Sequence, residues 1–413
     1  MNRKRGLTVF AAVIMMIILV SVLSYYVFLP SSGTFVYTSN VQASRYTSEY
    51  PTQSNETEPQ AIGVESNGII WFTLENSSAL GELAPFNGTV HEFRMPVNNS
   101  LGTVTWGLVV DSSRNVVWFT DQTTNSIWSF SITGHKFTQY ALKTPIAFPW
   151  GISLDNRGDV WFTELFGNKI GEITQSGELS EISIPVAGDP EPSGITADSS
   201  GRVWFTLPGI SSVGSYSNGK FSIQNLTGLV YLPVGISVDN QENIWLTQHG
   251  SSLISEFNPA THFFRSFSTS VPLVLGSSLP YFIQMDQRGN FWINEHQGNA
   301  MAEFIPSNNT LIEYFVPTRI RAVGNISGML TMTLSPSGQP WYTELFAGKI
   351  GTINTTSPLD LGVKLTNYSS PLTMSDDSQV SLGVKISGSA SSQATLREYV
   401  GNYTSDFQFS KSG

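Results

Sequence analysis

The sequence predicts an all-β protein: a seven-bladed β-propeller of four-stranded blades, preceded by one N-terminal transmembrane helix and followed by a short β-rich tail. Three observations predict it. Tryptophan recurs at near-constant spacing, each period contains four short alternating stretches, and one long uncharged apolar run stands near the N-terminus.

The apolar run comes first in the chain. Residues 7–29 carry no charge over 23 positions, and at about 1.5 Å per helical residue they reach roughly 35 Å, enough to cross a bilayer core. Arg3, Lys4 and Arg5 precede it, which places the N-terminus in the cytoplasm and the rest of the chain outside. The run exceeds the ~7 to 15 residues of a cleaved signal's apolar region, so a retained anchor over residues 1–29 is expected rather than a cleaved leader. Residues 30–58 read as a Ser/Thr-rich linker.

Residues 59–354 carry the repeats. Trp71, Trp118, Trp161, Trp204, Trp245, Trp292 and Trp341 head the strings WFTLE, WFTDQ, WFTEL, WFTLP, WLTQH, WINEH and WYTEL, spaced by 47, 43, 43, 41, 47 and 49 residues. Before each stands a glycine-containing start such as Pro149-Trp150-Gly151-Ile152, then an alternating stretch that usually ends in Asp: Asp111, Asp155, Asp198, Asp239, Asp286. After each comes a third run, clearest in Asn168-Lys169-Ile170-Gly171-Glu172-Ile173, and a fourth that ends at Pro, as in GELSEISIP at 177–185. Four short strands per period of about 40 to 50 residues is the pattern of a propeller blade, and no stretch after residue 30 sustains a helical period. The seven repeat tryptophans are expected to pack between blades, each burial being worth roughly 4 to 6 kcal/mol before conformational entropy opposes it. Trp128 falls in a third strand.

The seventh repeat supplies three strands. The string Arg45-Tyr46-Thr47-Ser48-Glu49-Tyr50-Pro51 matches the fourth-strand pattern of Thr310 to Pro317, so residues 45–51 are expected to complete blade seven and remove an open edge; the competing choice is Leu359 to Thr366. Residues 355–413 break the period, and LDLGVKL and VSLGVKI read as strands of a β-rich tail, or of part of an Ig-like sandwich.

Composition narrows the function. Only 13% of residues are charged while 40% are hydrophobic, against about 25% charged in an ordinary globular domain, so the chain has a core and is not disordered. Without a single Cys it holds no disulfide, thiolate metal site or cysteine nucleophile. Setting aside the three N-terminal cations leaves 18 Lys and Arg against 31 Asp and Glu, a surface that repels nucleic acid. Ten Asn-x-Ser/Thr sequons, at Asn55, Asn76, Asn87, Asn98, Asn225, Asn308, Asn325, Asn354, Asn367 and Asn402, exceed the roughly six expected by chance for so loose a motif and fit a glycosylated exterior. No GxSxG elbow, HExxH or phosphate-binding glycine loop is present. Asp189 with Glu191 lacks the spacing of a Ca²⁺ loop.

The WFTEL string, the following NKIGEI, the GELSEISIP strand and the P-x-G-I start recur over residues 59 to about 353, and in these strings the chain resembles the streptogramin B (virginiamycin B) lyase family. The resemblance implies a seven-bladed propeller and a Mg²⁺-dependent elimination that opens the ester ring of a cyclic depsipeptide. It also implies histidines at the x of P-x-G-I in two late blades, and carboxylates just after the WFT strings. The x positions here are Gln60, Trp106, Trp150, Ser193, Val234, Tyr281 and Ser327, none of them His, although an elimination needs a base beside the carbonyl and a stabiliser for the enolate. Carboxylates do follow the Trp, at Asp121, Glu164, Glu295 and Glu344, with Glu75 one position later, where His249 and His296 also stand.

In a blade whose first strand lines the channel and whose second runs antiparallel to it, the start of the first and the end of the second share one face. That grouping gives the expected roles: His249 and His296 catalytic; Trp106, Trp150, Tyr281, Asp121 and Glu164 a ligand rim; Glu295 and Glu344 the ligands of a Mg²⁺. The plainer alternatives are carboxylates that cap turns, solvated loop histidines, and tryptophans that plug the channel. Two functions follow. The first is a monomeric cell-surface module that binds a small molecule, a glycan or a surface protein; the second is a metal-dependent carbon–oxygen lyase in which His249 or His296 replaces the missing histidines.

Overall fold

The computed structural model describes residues 33–37, 46–52, 58–97, 102–269, 278–320, 326–355, 361–368, 383–388, 394–400 and 403–409. The uncharged run at 7–29 lies outside them; among the described residues no helix is long and apolar enough to cross a membrane.

Seven four-stranded antiparallel units follow one another along the chain. Blade three shows the pattern: Pro149–Leu154, Val160–Glu164, Lys169–Ile173 and Leu179–Ser183, hydrogen-bonded in that order. The second strand, bearing the repeat Trp, is buried at every position in this blade, while the fourth alternates toward solvent. The seven first strands touch in succession around a ring, and Met329–Leu334 of blade seven meets Pro59–Val64 of blade one.

Two interactions join each blade to the next. The first is apolar: each repeat Trp sits in a cluster with side chains of the following blade. Trp71 packs on Phe130 at 5.7 Å and Trp245 on Phe291 at 4.3 Å between ring centroids, and Trp341 closes the ring among Ile62, Ile70 and Phe72 of blade one. Three of the aspartates that end the first strands hold these indoles. Asp198 accepts from the backbone N–H of Ser200 and Arg202, capping the turn, and from the indole N–H of Trp204 at 3.0 Å; Asp155 and Asp239 do the same for Trp161 and Trp245.

The second is polar and involves the Thr of WFT. Thr163 Oγ1 accepts the Gly151 N–H of its own blade at 2.9 Å and donates to the Ser193 carbonyl of blade four at 2.7 Å. Thr120, Thr206, Thr247 and Thr343 repeat this clasp toward Trp150, Val234, Tyr281 and Gln60. In blade six Asn294 does both tasks with one amide, accepting from Phe282 N–H and donating to the Leu330 carbonyl. The clasp is needed because the first strand skips its ladder just after its start, as between Pro149 and Ile152, leaving backbone groups that must find partners elsewhere. It also explains the glycine of P-x-G-I: a Cβ on Gly151 would lie 2.4 Å from the Ser193 carbonyl oxygen.

In blade seven Thr47–Pro51 pairs antiparallel with Lys349–Ile353, placing Glu49 opposite Gly351, and Tyr46 is buried with Trp292 and Tyr314. Blade six carries extra strands on its outer edge. Gly33–Tyr37 runs parallel to Thr310–Phe315, Leu361–Tyr368 pairs antiparallel with Gly33–Tyr37, and Gly383–Gly388 with Leu361–Tyr368. Ala394–Val400 and Tyr403–Phe409 form a separate hairpin.

Thr163→Val keeps the shape but orphans a buried N–H and a buried carbonyl, and should cost about 1–3 kcal/mol in denaturant unfolding. Removing the chain before Pro59 exposes the edge at Lys349–Ile353 and should lower the melting temperature further; an unchanged melt would show that blade seven does not need this strand.

Candidate functional site

The first strands surround a narrow cavity of about 80 Å³ lined from all seven blades, including Ile62, Leu108, Ile152, Ile195, Ile236 and Met332. Pockets that enclose a drug-sized ligand run to about 300–1,000 Å³, so a ligand of that size has no room inside. The site is therefore the mouth, the end where first strands begin and second strands finish.

The mouth is capped by aromatic rings. Trp106 and Trp150, at the same position of adjacent blades, stack face to face with centroids 4.3 Å apart and planes 10° from parallel. Tyr281 lies 5.9 Å from Trp106 and 4.3 Å from His296, and His249 meets Tyr281 at 5.3 Å and His296 at 5.6 Å. On the far side Phe148 adjoins Trp150 at 5.9 Å and Phe166 at 4.6 Å. Trp150 and Tyr281 are buried, Trp106 is half-buried and Phe166 is half exposed. A continuous ridge of rings thus crosses the mouth from blade three to blade six.

The two imidazoles are held from behind. His249 Nδ1 lies 3.3 Å from the Pro280 carbonyl and His296 Nε2 lies 3.2 Å from the Leu330 carbonyl. A carbonyl only accepts, so those nitrogens carry the protons, leaving the lone pairs on His249 Nε2 and His296 Nδ1. Burial pushes the His249 pKa down to about 4; burial and then the neighbouring His249 push that of His296 down to about 3. Both rings are neutral at pH 7, and burial raises the Tyr281 phenol well above its usual range.

The carboxylates turn away from the mouth. Asp121 accepts from the Thr123 N–H at 2.9 Å and the Thr124 hydroxyl at 2.6 Å, capping its hairpin turn. Glu164, Glu295 and Glu344 each fold back toward the fourth strand of their own blade, where Glu181, Glu313 and Glu49 stand at matching register. In blades three and seven a lysine begins the third strand beside this acid pair. Lys349 Nζ lies 2.6 Å from Glu49, and Lys169 Nζ lies 3.9 Å from Glu181. Blade six has Ala300 there. Glu295 and Glu313 are thus buried together without that lysine, and burial raises both, Glu313 to about 8; burial, then the neighbouring acid, raises Glu164 to about 7 and Glu344 to about 8.

Among the described residues no group of three or more His, Asp or Glu side chains could hold a metal ion. Glu295 and Glu344 belong to different blades and different partners, so these residues do not fit an oxygen-rich Mg²⁺ site. One mouth position also needs correction. Met329 pairs with Glu344 as Pro149 pairs with Glu164, so the blade-seven counterpart of Trp150 is Leu330; Ser327 is buried and bonded to Asn299.

The virginiamycin B lyase family model matches residues 45–322. The chain belongs to the virginiamycin B lyase family. It shares 28% identity with a streptogramin B lyase structure, over 75% of this chain and 97% of that one, at a TM-score of 0.65. A catalytically inactive histidine-to-alanine virginiamycin B lyase from Staphylococcus aureus, solved with quinupristin, matches at 24% identity over 75% of this chain and 98% of that one, at the same TM-score. YCF48 bound to a D1 peptide, at 13% identity, shares the fold alone (TM-score 0.58, covering 75% and 95%). No curated protein sequence matches. Within the virginiamycin B lyase family this chain therefore keeps the ring and presents Val234, Tyr281 and Leu330 at the mouth positions of the last three blades.

Sequence reasoning missed three parts of this end of the molecule. Gln60 Nε2 donates to Glu75 at 2.5 Å, and burial, then Glu58, raises Glu75 to about 7. Phe148 and Phe166 extend the cap, and the fourth-strand acids face the post-WFT carboxylates. For the last a signal existed, the glutamate shared by GELSEISIP, TLIEYFVP and RYTSEYP.

The buried pair in blade six sets a pH dependence. An acid whose folded pKa is raised is protonated more readily folded than unfolded, so stability is full below about pH 4.5 and is lost as pH rises toward about 8. Glu313→Gln should flatten part of the fall in melting temperature between pH 5 and 8 and raise it at pH 8 by a few degrees.

Proposed function

We propose that the chain is a membrane-anchored extracytoplasmic propeller that binds an uncharged ligand with a flat apolar face at its capped mouth. The Trp106–Trp150 stack carries the reading. One indole is buried behind the other, leaving the half-buried Trp106 as a firm platform flanked by Tyr281, and a rigid ring face stacks on a sugar ring or a neutral depsipeptide without charge recognition. The mouth fits such a ligand, because the neighbouring imidazoles are neutral and Asp121, Glu164, Glu295 and Glu344 point into the blades. The anchor is the uncharged run at 7–29 behind three cations.

A lyase is the second reading, favoured by the adjacent lone pairs of His249 and His296 beside Tyr281. It is the weaker one. A general base works best with a pKa near the working pH, and rings pushed to about 4 and about 3 are poor proton acceptors.

Quinupristin, the ligand of the S. aureus relative, serves as a probe for both. Titration followed by tryptophan emission should show saturable binding to the wild type, weakened tenfold or more by Trp106→Ala, with the ring intact by mass spectrometry in the presence of Mg²⁺. Linearised product that disappears in His249→Ala and His296→Ala would replace the binding reading with the lyase.

A further inference from the structure

We infer that the propeller stands with the end opposite the aromatic cap against the lipid bilayer, seated there by Phe86 and Phe263. The inference rests on the anchoring proposed above and adds an orientation and a contact surface.

Register fixes the direction of the first described strand. Thr310 pairs with Ile305, the end of the third strand of blade six, and so lies at the end away from the mouth. Gly33–Tyr37 runs parallel to this strand with Thr34 beside Thr310 and Tyr37 beside Glu313. The chain therefore enters blade six at the far end and climbs toward the mouth. The apolar run stops at residue 29, and the four steps to Gly33 reach at most about 14 Å. A six-residue strand is about 20 Å long. That connection cannot carry the anchor up to the mouth, so the bilayer lies by the far end.

Two large apolar side chains project from that end. Phe86 and Phe263 occupy the turns between third and fourth strands in blades one and five, with 84% and 53% of their surfaces exposed. Blade five adjoins blade six on one side and blade one is two blades away on the other, so the pair straddles the point where the anchor arrives. Arg265 lies over the Phe263 ring at 5.9 Å, an arrangement suited to a headgroup layer, where an aromatic body enters the apolar zone and a guanidinium stays at its surface. The exposed apolar residues at the mouth end, Ile146, Phe166, Leu229 and Phe346, then face open solvent together with the cap, which keeps the mouth accessible to ligand. Asn87 and Asn308 share the far end and belong to sequons, but each accepts the N–H two residues on, at 2.9 and 3.1 Å, so turn formation alone accounts for asparagine there.

The cysteine-free chain makes the test direct. Single substitutions Phe86→Cys, Phe263→Cys and Phe166→Cys in the full chain are labelled with bimane, reconstituted into phosphatidylcholine vesicles and isolated by flotation. Spin-labelled lipid should lower emission at positions 86 and 263 at least twofold and leave position 166 unchanged. Quenching at 166 without 86 and 263, quenching at only one of the latter two, or none in chain that floats, overturns the docked orientation while the anchor stands. A chain that fails to float overturns both. A glycan found on Asn87 by mass spectrometry also overturns the docked face, since it would hold Phe86 off the lipid.

Discussion

The ring depends on one small group, the polar side chain two residues after each repeat tryptophan, a threonine hydroxyl in every blade but the sixth. A propeller's first strands converge on an axis and cannot complete their ladders there, so every blade presents a buried N–H and the next blade a buried carbonyl. A threonine hydroxyl both accepts and donates and is short enough to sit between them. Thr163 takes Gly151 and gives to Ser193, and the same exchange passes round to Thr343 and Gln60 across the closure. Each such bond contributes only about 1 kcal/mol, but each unmade one would cost more. The tryptophans supply the apolar part of the same joints, and together they give a cysteine-free domain its stability.

The clasp also shapes the mouth. Because the carbonyl of the mouth residue in blades one and three to seven is tied to the preceding blade, its backbone is fixed and its side chain is free to vary. Blade three uses this freedom for Trp150 and blade six for Tyr281, while Trp106 stands at the same position of blade two. The glycine that follows is dictated by the neighbour's approach, as at Gly151. The scaffold of the virginiamycin B lyase family is thus kept intact here while the mouth positions of the last three blades, among which the resemblance implied two histidines, carry Val234, Tyr281 and Leu330. His249 and His296 reach the mouth by another route, from the ends of the second strands, and arrive neutral and tied to backbone carbonyls.

The post-WFT carboxylates show how a repeat can mislead. Their recurrence looks like a ring of ligands, but the recurrence belongs to the blade and not to the axis. Glu164 and Glu344 lie inside their own blades beside a fourth-strand acid, Glu181 or Glu49, that itself pairs with a lysine. Glu295 keeps the acid, has Ala300 in place of the lysine, and is held by a proton instead. Asp121, one methylene shorter, stops at its own turn.

The sequence by itself determined the number of blades, the four strands in each and the interdigitating tryptophans, because these follow from periodicity and from the burial of large apolar side chains, both local properties of the string. The Asp that ends five of the first strands and the Thr of WFT were legible as repeats, but not as acceptor and clasp, since their partners lie in other turns and other blades. Only the tertiary structure decided which side chains meet at the mouth. Trp106, Trp150, Tyr281, His249 and His296 span 191 residues of chain, and whether a side chain at a strand end faces the axis or its own hairpin depends on local twist and on the bulge after each first residue, which the sequence pattern does not record.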